Sequence, residues 1–288
     1  MVPFLYLEPA SLDEACALLS AHGDEAKLLA GGTGLVNLMK QRLVQPGVVI
    51  GLRALKSLEG VAAEGDLRIG ALATLYALET SPIVKQHSPL LAETLRHVAT
   101  VRVRAMATLG GATAHADPHL DTPPALIALD ARIRVLSQRG AREIPIDQFF
   151  TGYFETVLRP DEMVTEIVIP PQPEGNGWSF VKFLPATHDD YATVSVAARL
   201  TLGRDGLIRD ARIALGAMGL VPVRATAAEA ALRGMKPDAA SFRQAASLVA
   251  EAVDPIANFR GSVEYKRAMA VVHVRRALAQ AASRAKAA

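Results

Sequence analysis

TLGGATAHADPHLD, Thr108 to Asp121, sets two adjacent glycines, two histidines and two aspartates within fourteen residues. Three chemistries use such a set. His115, Asp117, His119 and Asp121 carry imidazole and carboxylate groups that ligate metals, a sharp turn can expose a nucleophile, and Gly110-Gly111 can bring bare backbone against a phosphate. LAGGTG, Leu29 to Gly34, repeats one part of the pattern. Both stretches place Gly-Gly after an apolar residue and before a possible helix, so two such turns can face one anion, and a pyrophosphate would suit them.

Each reading has a plainer rival. A single Gly-Gly pair is most often a tight strand-to-helix turn, since short glycine motifs match by chance. Neither stretch is a GxGxxG followed by a suitably spaced acid, nor a GxxxxGK[ST], so dinucleotide-fold and P-loop readings lack a motif. The metal reading has no HExxH spacing, and Pro118 interrupts any regular strand or helix that would align its four side chains. Polar loop contacts and helix caps account for those residues without a metal. A hydrolase finds no serine in a GxSxG elbow. Cys16 is the only cysteine, which excludes an intrachain disulfide, a four-cysteine cluster and cysteine-rich zinc sites. It sits in SLDEACALLSAHG, whose Ser11, Glu14 and Gly23 read as the N-cap, capping box and C-terminal stop of a helix.

The chain has 288 residues, half of them hydrophobic, enough for two domains or one large one. Its 31 basic and 29 acidic residues leave a formal charge of +2 with no long block of one sign. Small-molecule or protein partners are expected, and nucleic acid is not. Without a basic leader or a long apolar run, a cytoplasmic chain with no transmembrane segment is expected. AKLLAGG, LVNLMKQRL and GVVIGLRAL read as strand, helix and strand. GVAAEGDLRIG and the pair ARIRVLS and REIPI read as strands about turns at Gly65 and Gly140, with helical spacing between them in PLLAETLRHVA and PPALIALD and a further strand, MVTEIVIP. The class is α+β. PPQPEGNG, Pro170 to Gly177, is the candidate boundary, dividing the chain into domains 1-176 and 177-288. Beyond it three strand-like segments precede three helical ones, predicting a sheet covered by helices on one face.

KLLAGGTGLVNLMKQRL, VRVRAMATLGGATAHADPHLDTPPAL, VKFLPATHDDYATVSVAARL and FRGSVEYKRAMAVVHVRRAL together resemble, in this order and across nearly the whole chain, the FAD-binding medium subunits of molybdenum hydroxylases. Carbon monoxide dehydrogenase medium subunits and xanthine dehydrogenase FAD-binding subunits belong to this family. The resemblance implies a PCMH-type FAD-binding domain of two α+β subdomains with flavin between them, followed by a smaller C-terminal domain. It assigns the loop Ala30, Gly31, Gly32, Thr33, Gly34 and Leu35 and the loop Thr108, Leu109, Gly110, Gly111 and Ala112 as backbone donors to the FAD pyrophosphate, with hydroxyls added by Thr33 and Thr108. Asp121 then lies near the ribityl and phosphate groups, Lys182 near the flavin, Tyr191 against the isoalloxazine, and Val164 along the pocket. No catalytic residue and no metal are implied for this chain. The molybdenum cofactor would belong to a large molybdopterin subunit and the [2Fe-2S] clusters to a small iron-sulfur subunit, in a dimer of heterotrimers that passes electrons through this FAD to an external acceptor.

The sequence also departs from that family. Where relatives commonly carry VRNRGTIGG, this chain has VRVRAMATLGG, keeping Arg104 but placing Ala105, Met106 and Ala107 at polar and glycine positions. Ala112 replaces a common Asn, Gly34 a common Ser, and Ala186 and Thr187 stand where a pair of arginines often follows the lysine. These departures motivate an alternative, a structural subunit with weak or lost flavin. A second alternative is a stand-alone PCMH-type flavin oxidase. Single residues have ordinary readings as well: Lys182 reaching for solvent, Tyr191 as a buried aromatic and Asp121 as a helix N-cap.

Overall fold

The computed structural model describes residues 1–185 and 190–286; Ala186 and Thr187 lie outside the described residues. The first helix, Leu12–His22, begins as its sequence demands. Ser11 Oγ accepts the Glu14 N–H at 3.1 Å, while the Glu14 carboxylate reaches back to the Ala10 N–H at 2.7 Å, one residue earlier than an ideal capping box. Gly23 ends the helix at φ 50°, and Cys16 is buried on its inner face. That face covers a three-stranded parallel sheet in which Val48–Gly51 lies between Leu5–Leu7 and Ala26–Leu29.

The second subdomain is a five-stranded antiparallel sheet. Its spatial order is Val61–Glu64, Asp66–Gly70, Met163–Ile169, Arg132–Ser137 and Gly140–Pro145. Gly65 and Gly140 make the two hairpin turns at positive φ, 83° and 108°, which a Cβ would disfavour. Met163–Ile169 takes the centre, and the chain between the flanking hairpins runs as short helices over one face. Among these, Leu75–Thr80, Pro89–Leu95, Leu109–His115 and Thr122–Ala128 supply Leu78, Leu91, Leu109 and Leu126 to a core shared with Ile69, Ile133 and Ile167.

After the proline-rich segment, Gly177–Phe183, Val194–Leu202, Ile208–Gly216 and Val223–Arg224 form an antiparallel sheet. Helices Thr226–Leu232, Ala239–Ser247 and Val263–Arg284 lie on one face, where Val196, Leu200, Ile213, Phe242 and Leu278 share a core. The expectation of a sheet covered on one face is incomplete. All nine residues of Val194–Leu202 are buried, because Phe180, Ala197 and Ala214 on the opposite face belong to the core of the first domain. The small side chains of Ala197 and Ala214 let Thr122–Ala128 close on the sheet. The same face carries a charged joint. Asp130, at φ 53°, accepts from Arg199 and Arg212 at 2.9 Å each, with Arg224 at 3.8 Å. Gln172, from the connecting segment, accepts from Arg199 as well.

His273, on the long helix, is only 3 % exposed. Its ring stacks on Phe183 at 4.6 Å, and neither ring nitrogen has a partner among the described residues. Burial, with Arg276 adding to it, pushes this imidazole from 6.5 down to about 4. The folded state therefore excludes a proton that the unfolded chain accepts. Stability is expected to be full above pH 6.5 and to fall by about 3 kcal/mol as the pH drops from 6.5 through 4. Urea unfolding across that window checks this, and His273→Leu should flatten the slope.

Candidate functional site

The two subdomains and the end of the C-terminal sheet enclose one cleft of about 470 Å³, within the usual range for a ligand site. Ala30 to Leu35 form one wall; Thr108, Gly110, Gly111 and Ala112 form another; Asp121, Val164, Lys182 and Tyr191 close it. Leu109 is the exception. Its side chain is fully buried in the core, because the residue opens a helix whose inner face it occupies.

The two glycine loops, alike in sequence, do different work. In the first, none of the N–H groups from Gly31 to Leu35 donates to a protein acceptor among the described residues. Gly32 turns the chain at φ 72°, and Asn37 braces it through the Thr33 carbonyl at 2.8 Å. Successive free donors at such a turn suit an anion. In the second, four of the five expected donors are already engaged. Leu109 N–H bonds Ala73 O and Gly110 N–H bonds Ala71 O, both at 3.0 Å, and Ala112 N–H bonds Thr108 O at 2.9 Å. Gly111 N–H bonds Thr108 Oγ at 3.1 Å. This segment is the capped first turn of Leu109–His115. Its glycines supply room rather than hydrogen bonds: a Cβ on Gly110 would lie 2.7 Å from Ala71 Cα. The Thr108 hydroxyl keeps its own proton to donate.

The departures at Ala105, Met106 and Ala107 fall at the end of the helix Val101–Met106, which lies against the first loop. A Cβ on Gly31 would fall 1.8 Å from Met106 O. Arg104 anchors this wall, donating to Glu79 at 2.8 Å, Val98 O at 2.7 Å and Ala99 O at 2.8 Å. At Gly34 the neighbouring space is taken by His115, whose Nε2 would be 2.7 Å from an added Cβ.

Deeper in the cleft, Lys182 Nζ meets Asp121 Oδ2 at 2.7 Å, with the side chains 3 % and 5 % exposed. Lys182 also donates to His97 O at 2.9 Å, so it does not reach for solvent. Asp121 makes no side-chain bond to the helix it precedes, and its Oδ1 is buried without a partner. Burial pushes its carboxyl up to about 6 against the pull of Lys182. Tyr191 is 43 % exposed and is therefore no core aromatic. Its N–H donates to Asp190 Oδ1 at 2.7 Å, and burial, with the nearby Asp117 carboxylate adding to it, raises its phenol above the ordinary range.

The four side chains that suggested a metal part company. His115 packs on Phe154 at 5.0 Å, His119 Nδ1 bonds Asp117 Oδ1 at 3.0 Å, and Asp121 pairs with Lys182. No set of three metal-ligating side chains comes together among the described residues. The sequence reading missed the apolar walls, Leu72, Leu75, Val98, Ala99 and Val103. They look like ordinary helix and turn residues, and only the meeting of distant segments makes them a lining.

These features fit FAD. The free donors of the first loop suit a pyrophosphate, the orphaned Asp121 oxygen suits a hydroxyl of a sugar alcohol, and the apolar walls suit a planar ring. Comparison with known proteins agrees. Residues 2–172 match the family described as the FAD binding domain in molybdopterin dehydrogenase, and residues 179–281 match the CO dehydrogenase flavoprotein C-terminal domain. The chain is 36% identical to the nicotine 6-hydroxylase medium subunit of Paenarthrobacter nicotinovorans, covering 97% of each. It is also 36% identical to the carbon monoxide dehydrogenase medium chain of Hydrogenophaga pseudoflava, covering 96% of this chain and 97% of that one. The solved carbon monoxide dehydrogenase of the latter organism, in a form lacking the Mo-pyranopterin moiety, superposes with a TM-score of 0.96 at 37% identity over 99% of this chain and 100% of that one. Quinoline 2-oxidoreductase from Pseudomonas putida 86 does so with a TM-score of 0.91 at 33% identity, covering 98% of each. The chain belongs to the family of FAD-binding medium subunits of molybdenum hydroxylases.

Proposed function

We propose that this chain holds FAD in the cleft and serves as the electron exit of a molybdenum hydroxylase. Electrons come from [2Fe-2S] clusters of a small subunit, after substrate oxidation at molybdenum in a large subunit, and leave to an external acceptor. Bound FAD supplies the chemistry, accepting electrons one or two at a time and passing them on. The observation that carries this reading is the row of unengaged N–H groups from Gly31 to Leu35, facing the same cleft as the buried Asp121–Lys182 pair.

In this reading the first loop binds the pyrophosphate, with Thr33 and Thr108 hydroxyls beside it. Gly110, Gly111 and Ala112 act through close approach, and Leu109 acts only by anchoring their helix. Asp121 Oδ1 accepts a ribityl hydroxyl, Lys182 holds that carboxylate in place, and Val164 and Tyr191 border the ring. The domains divide at 176/177, the assembly is a dimer of heterotrimers, and it works in the cytoplasm. The flavin-free alternative leaves the loop donors and the Asp121 oxygen without a role.

Denaturing the purified complex and counting released FAD tests the reading. One FAD per chain is expected, and a complex with molybdenum and clusters but no FAD overturns it. Reduction of the isolated chain by an organic substrate would instead favour a stand-alone oxidase. Because Tyr191 is half exposed, Tyr191→Ala should cost no more than about 1 kcal/mol of stability while changing the fluorescence of bound flavin. Thermal unfolding and emission spectra of the same preparation check both parts.

A further inference from the structure

The rim of the cleft carries an oriented imidazole that cofactor binding leaves unused. Asp117 is buried in the loop between Leu109–His115 and Thr122–Ala128. Its Oδ1 accepts both the His119 N–H at 2.9 Å and His119 Nδ1 at 3.0 Å. The Tyr191 ring, arriving from the C-terminal domain, packs beside the imidazole. With Nδ1–H directed at Asp117, Nε2 is the nitrogen left to exchange a proton. The ring lines the cleft, sits 5.6 Å from the Tyr191 ring and 6.5 Å from the Tyr153 ring, and keeps 21 % of its side chain exposed. It therefore touches both the cleft and water. The loop behind it is held, since Ala116 adopts a left-handed φ of 52° and its carbonyl accepts the Phe154 N–H at 3.2 Å.

The groups facing His119 are Asp117 on its own loop, Tyr153 on the hairpin Phe150–Gly152 and Glu155–Thr156, and Tyr191 before Val194–Leu202. Arg260 lies over the Tyr191 ring, 5.8 Å from its centroid, and pairs with Asp190. Among the described residues Asp117 is thus the one charged group bonded to the ring, and it fixes the ring's orientation.

We propose that His119, positioned by Asp117, is the group through which the proton accompanying an electron pair enters and leaves the flavin site. The proposal rests on the reading of the cleft as the FAD site. With FAD bound and two electrons delivered from the partner clusters, Nε2 of His119 would give up the one proton that accompanies the pair and would regain one from water. When the acceptor removes the pair, His119 would pass one proton back to water and take up the returning one at the same nitrogen.

The test is the rate of proton uptake after rapid reduction of the intact complex, read with an indicator dye. It should slow by roughly tenfold or more in His119→Gln, while the midpoint potential of FAD against pH, which counts protons and not their route, keeps its wild-type slope. Asp117→Asn, which takes away the acceptor that orients the ring, should slow uptake in the same direction. A flavin-loaded His119→Gln protein that takes up the proton at the wild-type rate overturns the proposal. If that variant holds no flavin, Asp117→Asn with the wild-type rate, or a wild-type complex reduced without taking up a proton, overturns it. Absence of FAD from the wild-type complex would defeat the reading of the cleft itself, a result distinct from either.

Discussion

Gly31→Ala is expected to empty the flavin cleft. The added Cβ would lie 1.8 Å from Met106 O, 2.7 Å from Met106 C and 3.0 Å from Ala107 Cα. All three are backbone atoms, so no side chain can swing aside. The opposing segment cannot retreat freely either, because Arg104 ties it to Glu79 and to the carbonyls of Val98 and Ala99. Forcing such a contact costs about 1–3 kcal/mol. If the strain is relieved by parting the two walls, it falls on the cofactor site, where the same energy weakens FAD by roughly 10- to 100-fold. FAD content after gel filtration and urea unfolding of the same sample measure the two components. Gly47→Ala is the control, since nothing lies within 4 Å of its added Cβ. A Gly31→Ala protein with full flavin and unchanged stability would mean that the two walls do not touch.

Lys182→Met should be the most destabilising single change in the cleft. It leaves Asp121 buried with neither oxygen paired to a charge, a situation that costs about 3–5 kcal/mol at a pH where the carboxylate is ionised. The sign of the pH dependence follows from Asp121. Its carboxyl already stands at about 6 with Lys182 beside it, and removing the cation removes an influence that lowers it. A raised folded value in an acid means that the cost is present above that value and is relieved as pH falls and the group takes its proton. The deficit of Lys182→Met relative to wild type should therefore be largest near pH 8 and shrink through pH 6 and below. Adding Asp121→Asn should recover much of the loss. A deficit that is the same at pH 8 and pH 5, or a double variant whose losses add, would remove the buried pair from the account.

What the sequence shows directly is local. Ser11 and Thr74 cap the helices that follow them, Gly65 and Gly140 turn the hairpins, and the proline-rich stretch separates Met163–Ile169 from Gly177–Phe183. The limits appear where distant segments meet. Gly31-Gly32 and Gly110-Gly111 read alike, yet only the first pair opens a loop of unengaged N–H groups. The difference lies in Ala71 and Ala73, whose carbonyls occupy the second loop, and no local pattern announces that pairing. Asp121 and Lys182 stand 61 residues apart, so each alone has an ordinary reading as a cap or a surface cation. Val194–Leu202 carries an alternating apolar face, but its alanines do not say that a helix of the other domain covers them. His119 stands out in the sequence only as a rejected metal ligand, and its role depends on the bond to Asp117 and on Tyr191 arriving from the C-terminal domain.

The joint at Asp130 bears on how the protein matures. The cradle comes from residues before the proline-rich segment, while Lys182 and Tyr191 arrive on the sheet beyond it, brought into place by Arg199, Arg212 and Arg224 converging on one aspartate. The core of the first half takes in Phe180, Ala197 and Ala214 of the second, and neither half alone presents the whole cleft. Flavin retention thereby becomes a record of correct docking between the sheets on either side of the proline-rich segment: a chain in which they have not joined would be cofactor-poor before it is unfolded. A surface change at Asp130, far from any ligand contact, would then be read out first as lost yellow colour and only afterwards as lost structure.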